Sequence, residues 1–175
     1  MKNKKAMTLS INSLVVIILS LVILSLGIVL MRTFFTSTAE LKAKIDSQTE
    51  TKISSLLAEG EPLAIPVNRK TIPTNQHSTF GLGILNILQE PGQNTFTVDI
   101  IFSGAYNKMN VQIDADAQSW LLWDQEPMTL QSNEQVIIPI LIAVPGAEPG
   151  IYIFTVDVIV DGKPYGKQKI YVEVP

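Results

Sequence analysis

The chain has 175 residues, about the length of one ordinary domain. Hydrophobic residues make up 46% and charged residues only 17%, against roughly 25% charged in a typical soluble domain. The absence of Cys excludes disulfide scaffolds, thiol catalysis and Cys-ligated metal or iron–sulfur sites. The single His excludes any site that needs two His, and a formal net charge of −3 argues against general nucleic-acid binding.

The apolar residues are concentrated near the N-terminus. Residues 8–31 form a run of 24 positions without a charged side chain, whereas a helix needs about 20 apolar residues to span a bilayer. We therefore predict a basic leader over residues 1–6 and a transmembrane helix over residues 7–33. Asn12 is the one strongly polar residue of this run. It either lies at the level of the lipid headgroups or contacts a neighbouring helix through its amide.

The flanking charges predict the orientation. Lys2, Lys4 and Lys5 precede the run, and positive residues favour the cytoplasmic side. Four of the 13 Lys and Arg lie within residues 1–32, while all 16 Asp and Glu lie beyond them, so the remainder of the chain carries a formal charge of −7. We expect a single-pass protein of the cell membrane with a cytoplasmic N-terminus and an acidic, extracytoplasmic C-terminal part.

The junction ahead of the apolar run carries a resemblance to a known family. Lys5, Ala6 and Met7 stand directly before the hydrophobic stretch, an arrangement that resembles the class III (prepilin-type) signal peptides of archaeal pilins and archaellins. The resemblance implies that a prepilin-type peptidase cuts between Ala6 and Met7, and that the apolar helix then associates with those of other pilin-like subunits. The fifth mature residue is then Ile11, where the bacterial-like pattern has Glu. The alternative is an uncleaved signal-anchor helix.

A second helix is predicted after the span. Apolar residues recur at helical spacing and give one narrow stripe over residues 34–60, and Gly60 and Pro62 end the pattern. Together with the span, this amphipathic stalk forms one helix of about 50 residues and about 75 Å, the shape of pilin subunits, unless the segment at residues 33–40 bends. The alternative is that the outer half covers one face or edge of the head.

In residues 61–175 the apolar residues recur at every second position, the period of a β-strand. Alternation is clear in residues 152–160 and 170–174, and Asp161 and Gly162 between these runs are a hairpin signal. We therefore predict an α+β protein, with a long N-terminal transmembrane and stalk helix followed by an all-β, immunoglobulin-like sandwich ectodomain of about seven strands. The strands are predicted at residues 79–88, 95–102, 109–113, 119–123, 135–143, 151–160 and 168–174.

One segment of the head resembles a known fold family. Residues 137–162 combine an apolar strand, a Pro-rich turn at Pro145 and Pro149, and a strand start with Gly150 and Tyr152. These features resemble the last strands of immunoglobulin-like or fibronectin-like accessory domains of surface proteins. The resemblance implies the sandwich fold and a domain that binds, spaces or assembles, and it implies no particular activity.

Candidate catalytic and metal-ligating residues are few. His77 lies in a polar loop before the first predicted strand, and no Gly-x-Ser-x-Gly motif supplies a nucleophile for a triad, so we expect a solvated side chain. Asp114 and Asp116 have the opening spacing of a calcium loop, but Ser119 and Gln125 occupy the positions of its Gly and Glu. We interpret this segment as a loop at the end of a strand, with a weak extracellular Ca²⁺ site as the alternative. We predict no catalytic, cofactor-binding or metal-binding residue.

Two residue pairs indicate packing or contact instead. Gly81 and Gly83 lie in a strand pattern rather than in a phosphate-binding loop, which predicts a bulge or close backbone packing. Trp120 and Trp123 are three positions apart, so on a strand they face opposite sides. One is then expected in the core, and the other is a candidate surface contact for a neighbouring subunit or a glycan.

Together these features predict a non-enzymatic membrane protein whose partners are the lipid bilayer, the peptidase if the leader is processed, and other subunits of its kind. The leading hypothesis is a pilin-like surface filament subunit or pseudopilin-type structural protein. The alternative is an uncleaved, signal-anchored envelope accessory or adhesion module with an immunoglobulin-like binding domain. A third hypothesis, an ectoenzyme, requires a concave cluster of carboxylates that no sequence motif indicates.

Overall fold

The chain divides into two units, Met1–Glu40 and Leu41–Pro175. The computed structural model describes residues 15–20, 22, 45–88 and 93–175. In the first unit, residues 15–20 and 22 are helical, and the rest of the predicted transmembrane helix, like the leader, lies outside the described residues. Among those that are described, no helix combines the length and apolar character needed to cross a bilayer.

In the second unit, which we call the head, loops and turns separate short stretches of alternating sequence, and each stretch forms a strand. Residues 45–88 and 93–175 contain one α-helix, ten strands and one 3-10 helix. Their bounds are α1, Ser47–Ala58; β1, Leu63–Ala64; β2, Arg69–Thr71; β3, Gln76–Leu85; β4, Gln93–Tyr106; β5, Gln112–Ile113; the 3-10 helix, Gln118–Trp120; β6, Leu121–Trp123; β7, Met128–Gln131; β8, Gln135–Val144; β9, Gly150–Val160; and β10, Lys163–Val174.

The strands form two sheets that enclose one hydrophobic core. The four-stranded sheet has the order β1-β3-β8-β6, and the six-stranded sheet has the order β2-β10-β9-β4-β5, with β7 beside β4. The pairings of the described strands are antiparallel except that of β2 with β10, which is parallel. Phe80 and Ile140 from one sheet and Phe154 from the other meet in the same core, so the predicted β-sandwich is confirmed.

The alternation in the last two strands decides which of their faces is buried. Every second residue of β9 from Tyr152 to Val160 is buried, and so are the even-numbered residues 170–174 of β10. Asp161 and Gly162, which join the two strands, have φ values of 47° and 77°, as a two-residue hairpin turn of type I′ requires. The predicted faces and the predicted hairpin are therefore confirmed.

Helix α1 is shorter than predicted and covers the head. The predicted helix at residues 34–60 is wrong at Asp46, where a ψ of 133° is extended backbone, so the helix of the head begins at Ser47. Residues 34–44 lie outside the described residues. The buried Ile53 and Leu57 pack α1 on the outer face of the four-stranded sheet. The helix of the head therefore covers one face of this sheet.

Gly81 and Gly83 of β3 are the contact points for this helix. A Cβ at Gly81 would lie 2.7 Å from Ile53 Cδ1, and a Cβ at Gly83 would overlap Ile53 Cγ2 and touch Leu57 Cδ1 at 3.0 Å. Real side chains do not approach so closely, so α1 reaches this depth only because both residues lack a Cβ. The predicted close backbone packing at the two glycines is confirmed.

Several strand limits differ from the prediction. Alternation does not predict β1, β2 and β7, because runs of two to four residues are too short to show it. The predicted strand at residues 109–113 is reduced to Gln112–Ile113, since hydrogen bonds hold the residues before it in a loop. β10 begins at Lys163 rather than at residue 168, because its pairing with β9 continues across a bulge between Pro164 and Gly166.

Candidate functional site

The helical residues of the first unit expose apolar side chains all round. Residues 15–19 and 22 are aliphatic, and each is between 51% and 62% exposed. Ser20 donates its hydroxyl hydrogen to the Val16 carbonyl oxygen at 2.8 Å, so its polar group is satisfied within the helix. A helix that is apolar on all sides needs an apolar cover. Lys5, Ala6, Met7 and Asn12, the residues predicted for processing and helix contact, lie outside the described residues.

Of the two tryptophans, Trp120 is buried in the core as expected for one of the pair, and Trp123 is half-buried. Trp120 is only 8% exposed and packs on Tyr152, with 4.6 Å between the ring centroids. Trp123 is half-buried against the core, and its indole N–H donates to the Val98 carbonyl oxygen at 3.0 Å. The prediction that Trp120 and Trp123 face opposite sides of one strand is wrong because Trp120 ends a 3-10 helix. Leu122, between the two tryptophans, is 51% exposed.

Side chains close the outer edge of β4 where no strand pairs with it. β7 pairs with residues 93–96 and β5 with Ala105 and Tyr106. Between them, the Gln118 side-chain amide donates to the Ile100 carbonyl oxygen at 2.8 Å and accepts the Phe102 N–H at 2.7 Å. The Gln118 amide thus occupies backbone groups that would otherwise offer an open edge to another chain.

Tyr152 makes a corner contact typical of immunoglobulin-like sandwiches. Its buried hydroxyl donates to the carbonyl oxygen of Glu148, four residues upstream, at 3.0 Å. A tyrosine at the start of a strand whose hydroxyl returns to the preceding backbone is a hallmark of that architecture. Burial raises the pKa of Tyr152, and the Glu148 carboxylate raises it further, so the phenol stays protonated and keeps its role as donor.

Lys70 connects the two sheets beside the start of α1. Its ammonium donates to the Thr79 carbonyl oxygen at 2.6 Å and lies 5.1 Å from the Phe80 ring centroid. Burial lowers the pKa of Lys70, and the nearby Asp46 carboxylate opposes that shift. Because Asp46 directly precedes α1, these contacts place the first turn of the helix beside the first half of β3.

The loop between β4 and β5 displays two apolar side chains on an ordered backbone. Met109 is 82% exposed and Val111 is 57% exposed. The Asn107 side-chain oxygen accepts the Met109 N–H at 2.9 Å and the Val111 N–H at 3.0 Å, and backbone bonds join Asn107 to Val111 and to Asn110. We call residues 107–111 the β4–β5 loop. Sequence reasoning missed it, although an Asn on each side of Lys108 and Met109 is a turn signal.

The residues tested for chemistry lie apart from one another. His77 is exposed on β3 rather than in a loop, so that part of the prediction is wrong. Asp114 and Asp116 are exposed in the predicted loop after β5, and Asp116 Oδ1 accepts the Gln118 N–H at 3.1 Å, which starts the 3-10 helix. Within residues 45–88 and 93–175, no three His, Asp or Glu side chains cluster as a metal site would need.

The outer face of the six-stranded sheet carries an open cavity of about 410 Å³. In this sheet Asp99 of β4 stands directly opposite Asp157 of β9, and both line the cavity. Lys167 of β10 pairs with Asp157 at 3.0 Å. The cavity lining therefore contains one lysine and two neighbouring carboxylates. Asp99 and Asp157 repel each other across the two strands, and salt screens this repulsion.

Comparisons with known proteins bear on the fold alone. No protein-family model and no curated protein matches the chain. Among solved structures, it is similar to PapD-like domain 7 of human CEP192 (13% identity, TM-score 0.48, 65% of this chain and 85% of that chain). It is also similar to WR4, an MSP family member from C. elegans (10%, 0.40, 66% and 99%), and to a family 123 glycoside hydrolase from Clostridium perfringens (16%, 0.42, 62% and 23%), of which it covers less than a quarter.

Proposed function

We propose that this chain is a non-enzymatic, single-pass membrane protein that carries its sandwich head outside the cytoplasm and assembles as a pilin-like filament subunit. The observation that carries the proposal is the helical segment at residues 15–20 and 22, whose aliphatic side chains are exposed on every side. Such a surface is stable in lipid or against other copies of the same helix, and it is costly in water.

The sequence around this segment supports the same proposal. The 24 uncharged residues of the run are enough to span a bilayer, and the three lysines ahead of it favour a cytoplasmic N-terminus. Lys5, Ala6 and Met7 supply the prepilin-like junction. In a filament, the apolar helices pack on one another after the leader is removed, which buries the Leu, Ile and Val that face lipid in the unassembled subunit.

A second candidate is a signal-anchored binding module that does not assemble. The start of α1 favours it, because the extended backbone at Asp46 interrupts the long helix expected of a pilin subunit. The head then acts alone at the membrane surface, with α1 as a cover of its four-stranded sheet rather than as a stalk.

The experiment is mass spectrometry of the mature N-terminus of the native protein, combined with flotation of its membranes. A chain that begins at Met7 and floats with lipid is the result expected of the filament subunit. The matched variant Ala6→Leu places a bulky residue at the cut, so it should float equally well and begin at Met1 or Lys2.

The outcomes separate the two candidates. A wild-type chain that floats but retains its leader, and that yields no filaments on shearing, supports the signal-anchored module and overturns the pilin-like proposal. A chain that stays with the soluble fraction overturns both.

A further inference from the structure

The two sheets of the head differ in what covers their outer faces. Helix α1 packs on β1, β3 and β8 of the four-stranded sheet. In the part of the chain that the structure describes, no helix packs in this way on the outer face of the six-stranded sheet. Ile101 is 48% exposed there, and Ile153 and Tyr171 are half-buried. We call the outward-facing residues 69, 71, 99, 101, 103, 104, 106, 151, 153, 155, 157, 167, 169, 171 and 173 the open face.

The strand register arranges the open face in four levels. Each level is a set of residues that stand side by side across β10, β9 and β4. On β10 the levels are marked in order by Lys167, Lys169, Tyr171 and Glu173. On β4 the same levels hold Asp99, Ile101, Gly104 and Tyr106. Ser103 occupies the bulge of β4 between the second and third levels, where its hydroxyl oxygen lies 2.6 Å from that of Thr155.

The open face is electrically neutral on an acidic part of the chain. It carries six charged side chains, three of each sign: Lys167, Lys169, Arg69, Asp99, Asp157 and Glu173. The residues beyond position 32 have a formal charge of −7, so all of that net charge lies outside the open face. A second copy of the chain that approaches through this face therefore meets no excess of its own charge there, whereas the remaining surface repels it.

We propose that two copies of this chain associate through their open faces, about a two-fold axis that lies parallel to the sheets and crosses the strands at the level of Ser103. This association does not depend on the membrane anchoring proposed above. The axis exchanges the first level with the fourth, so Lys167 of each copy lies opposite Glu173 of the other copy. Since a two-fold interface is isologous, this ion pair occurs twice, once at each end of the contact.

The second and third levels supply the contacts between the two ion pairs. Lys169 of each copy lies opposite Tyr171 of the other, so its aliphatic stem can cover the aromatic ring while the ammonium stays in water. Ile101 lies opposite Gly104 of the other copy. The Tyr106 ring leans over that glycine, because Tyr106 Cε2 is 3.7 Å from the position of a Gly104 Cβ. The exposed Ile101 is therefore covered by an aromatic ring.

Charge selects this axis over a two-fold axis parallel to the strands and centred on β9. That second axis would place Asp157 of one copy opposite Asp157 of the other, and like charges that face each other across an interface are destabilising. With the axis at Ser103, Asp99 and Asp157 lie opposite Tyr106 and Ile151, which are uncharged. Asp157 also keeps its ion pair with Lys167 of its own chain, at 3.0 Å.

The dimensions of the open face predict a weak dimer. Its four levels span about 20 Å along the strands at about 3.3 Å per residue, and its four strands span about 14 Å at about 4.8 Å per spacing. Stable interfaces bury about 800 Å² on each partner, so this contact belongs to the small, reversible class. Sheets that pack face to face lie about 10 Å apart, which sets the separation of the two Ser103 residues across the axis.

The test is chemical cross-linking of the full chain at about 0.1 mM, a concentration suited to a weak contact, in a detergent that covers the N-terminal apolar residues. Because the chain has no Cys, Ser103→Cys provides a single thiol at the axis. Leu122→Cys, exposed on β6 of the four-stranded sheet, is the matched control. A bismaleimide that spans about 10 Å should convert Ser103→Cys into a covalent dimer and leave Leu122→Cys monomeric.

Charge exchange tests the axis in the Ser103→Cys background. Lys167→Glu places two carboxylates opposite each other at both ends of the contact, so the yield of covalent dimer should fall by about tenfold or more. Lys167→Glu combined with Glu173→Lys returns opposite charges to these positions and should restore the yield. Lys163→Glu makes the same change of charge on the β9–β10 hairpin, outside the open face, and should leave the yield unchanged.

Each contrary result identifies what is wrong. Equal cross-linking of Ser103→Cys and Leu122→Cys would mean that the copies meet through their N-terminal apolar residues or by collision, and it would overturn contact through the open face. A yield that ignores Lys167→Glu, or that the double exchange does not restore, would overturn the axis. Absence of a covalent dimer from Ser103→Cys would overturn the association itself. None of these results bears on whether the chain floats with lipid.

Discussion

Tyr165 of the six-stranded sheet donates its hydroxyl hydrogen to the backbone carbonyl of Leu85 in the four-stranded sheet. The same hydroxyl accepts the Ile87 N–H at 3.2 Å, and the Tyr165 ring stands edge-on to Phe96 with 5.1 Å between centroids. Tyr165 lies in the bulge of β10, between Pro164 and Gly166. The irregular pairing there lets this side chain cross the sandwich and connect the two sheets at the end that carries the β9–β10 hairpin.

Tyr165→Phe should lower the free energy of unfolding by about 1–2 kcal/mol, because the ring contact stays while the Leu85 carbonyl loses its donor. Tyr171→Phe is the matched control, since Tyr171 is half-buried outside the core with its ring beneath Arg69, and we expect a change within about 0.5 kcal/mol. Denaturant unfolding of the full chain in detergent, followed by Trp fluorescence, measures both. Equal effects of the two substitutions would contradict the cross-sheet role of Tyr165.

The hairpin residue Asp161 should make stability depend on pH. The Asn94 side-chain amide and then the Thr95 N–H bind its carboxylate at 2.9 and 3.0 Å and hold its pKa below the usual range. A carboxyl with a depressed folded pKa stabilises the fold above its unfolded pKa of about 3.9, and this contribution is lost as the pH falls through the lower folded value.

Asp161→Asn should therefore be less stable than the wild type at neutral pH, and the difference should narrow as the pH falls below about 4. Asn tolerates the positive φ of this position, so the turn itself is kept. Thermal unfolding over a pH series measures the difference, with the exposed Glu126→Gln as control. A stability difference between the wild type and Asp161→Asn that stays constant down to acid pH would falsify the assignment of the pH dependence to the Asp161 carboxylate.

Gly83→Ala should destabilise the head by about 1–3 kcal/mol, the usual cost of overpacking, because its Cβ would overlap Ile53. Gly146→Ala is the matched control, since nothing lies within 4 Å of its Cβ position. In a double-mutant cycle, Ile53→Ala combined with Gly83→Ala should cost less than the sum of the two single changes. Strict additivity would mean that the helix does not occupy the space left by this glycine.

The two hydrogen bonds of the Gln118 side chain to β4, one accepted by its oxygen and one donated by its nitrogen, can be tested separately. Gln118→Ala removes the acceptor of the Phe102 N–H, so hydrogen exchange at Phe102 should accelerate by about tenfold, equivalent to about 1.4 kcal/mol. Gln118→Glu keeps an acceptor for Phe102 but removes the donor to Ile100, so Phe102 should remain protected. Amide hydrogen exchange followed by NMR distinguishes the two variants. Similar exchange rates at Phe102 in both would exclude the hydrogen bond between the Phe102 N–H and the Gln118 side chain.

The long strands are predictable because their alternation is long enough to read. β9 and β10 bury every second side chain over at least five positions, and the Asp161-Gly162 pair between them is specific for a tight hairpin. The short outer strands β1, β2 and β7 contain too few residues for any period. They exist because longer neighbours offer backbone groups to pair with, which is a property of the assembled sheet.

The candidate contacts were harder to predict, for reasons visible in single residues. Trp120 ends a three-residue 3-10 helix, which is too short to show a period in the sequence, and Trp123 lies in the strand that follows it. Met109 continues an apolar pattern toward Ile113, but the hydrogen bonds of the Asn107 side chain and backbone hold it in a loop. At Met109 one side-chain amide, and at Trp120 one short 3-10 helix, sets a backbone conformation that the alternation of the neighbouring residues does not predict.

The parallel pairing of β2 with β10 has a consequence for biogenesis. Arg69 pairs with Tyr171 and Thr71 with Glu173, so this ladder closes a loop of about a hundred residues, at an entropic cost of about 4 kcal/mol. Because of this loop-closure cost, we expect the β2–β10 pairing to form after the local β9–β10 hairpin. One flank of the larger sheet therefore stays incomplete until the chain has been synthesised as far as Val174, and β10 exposes its unpaired edge in the meantime.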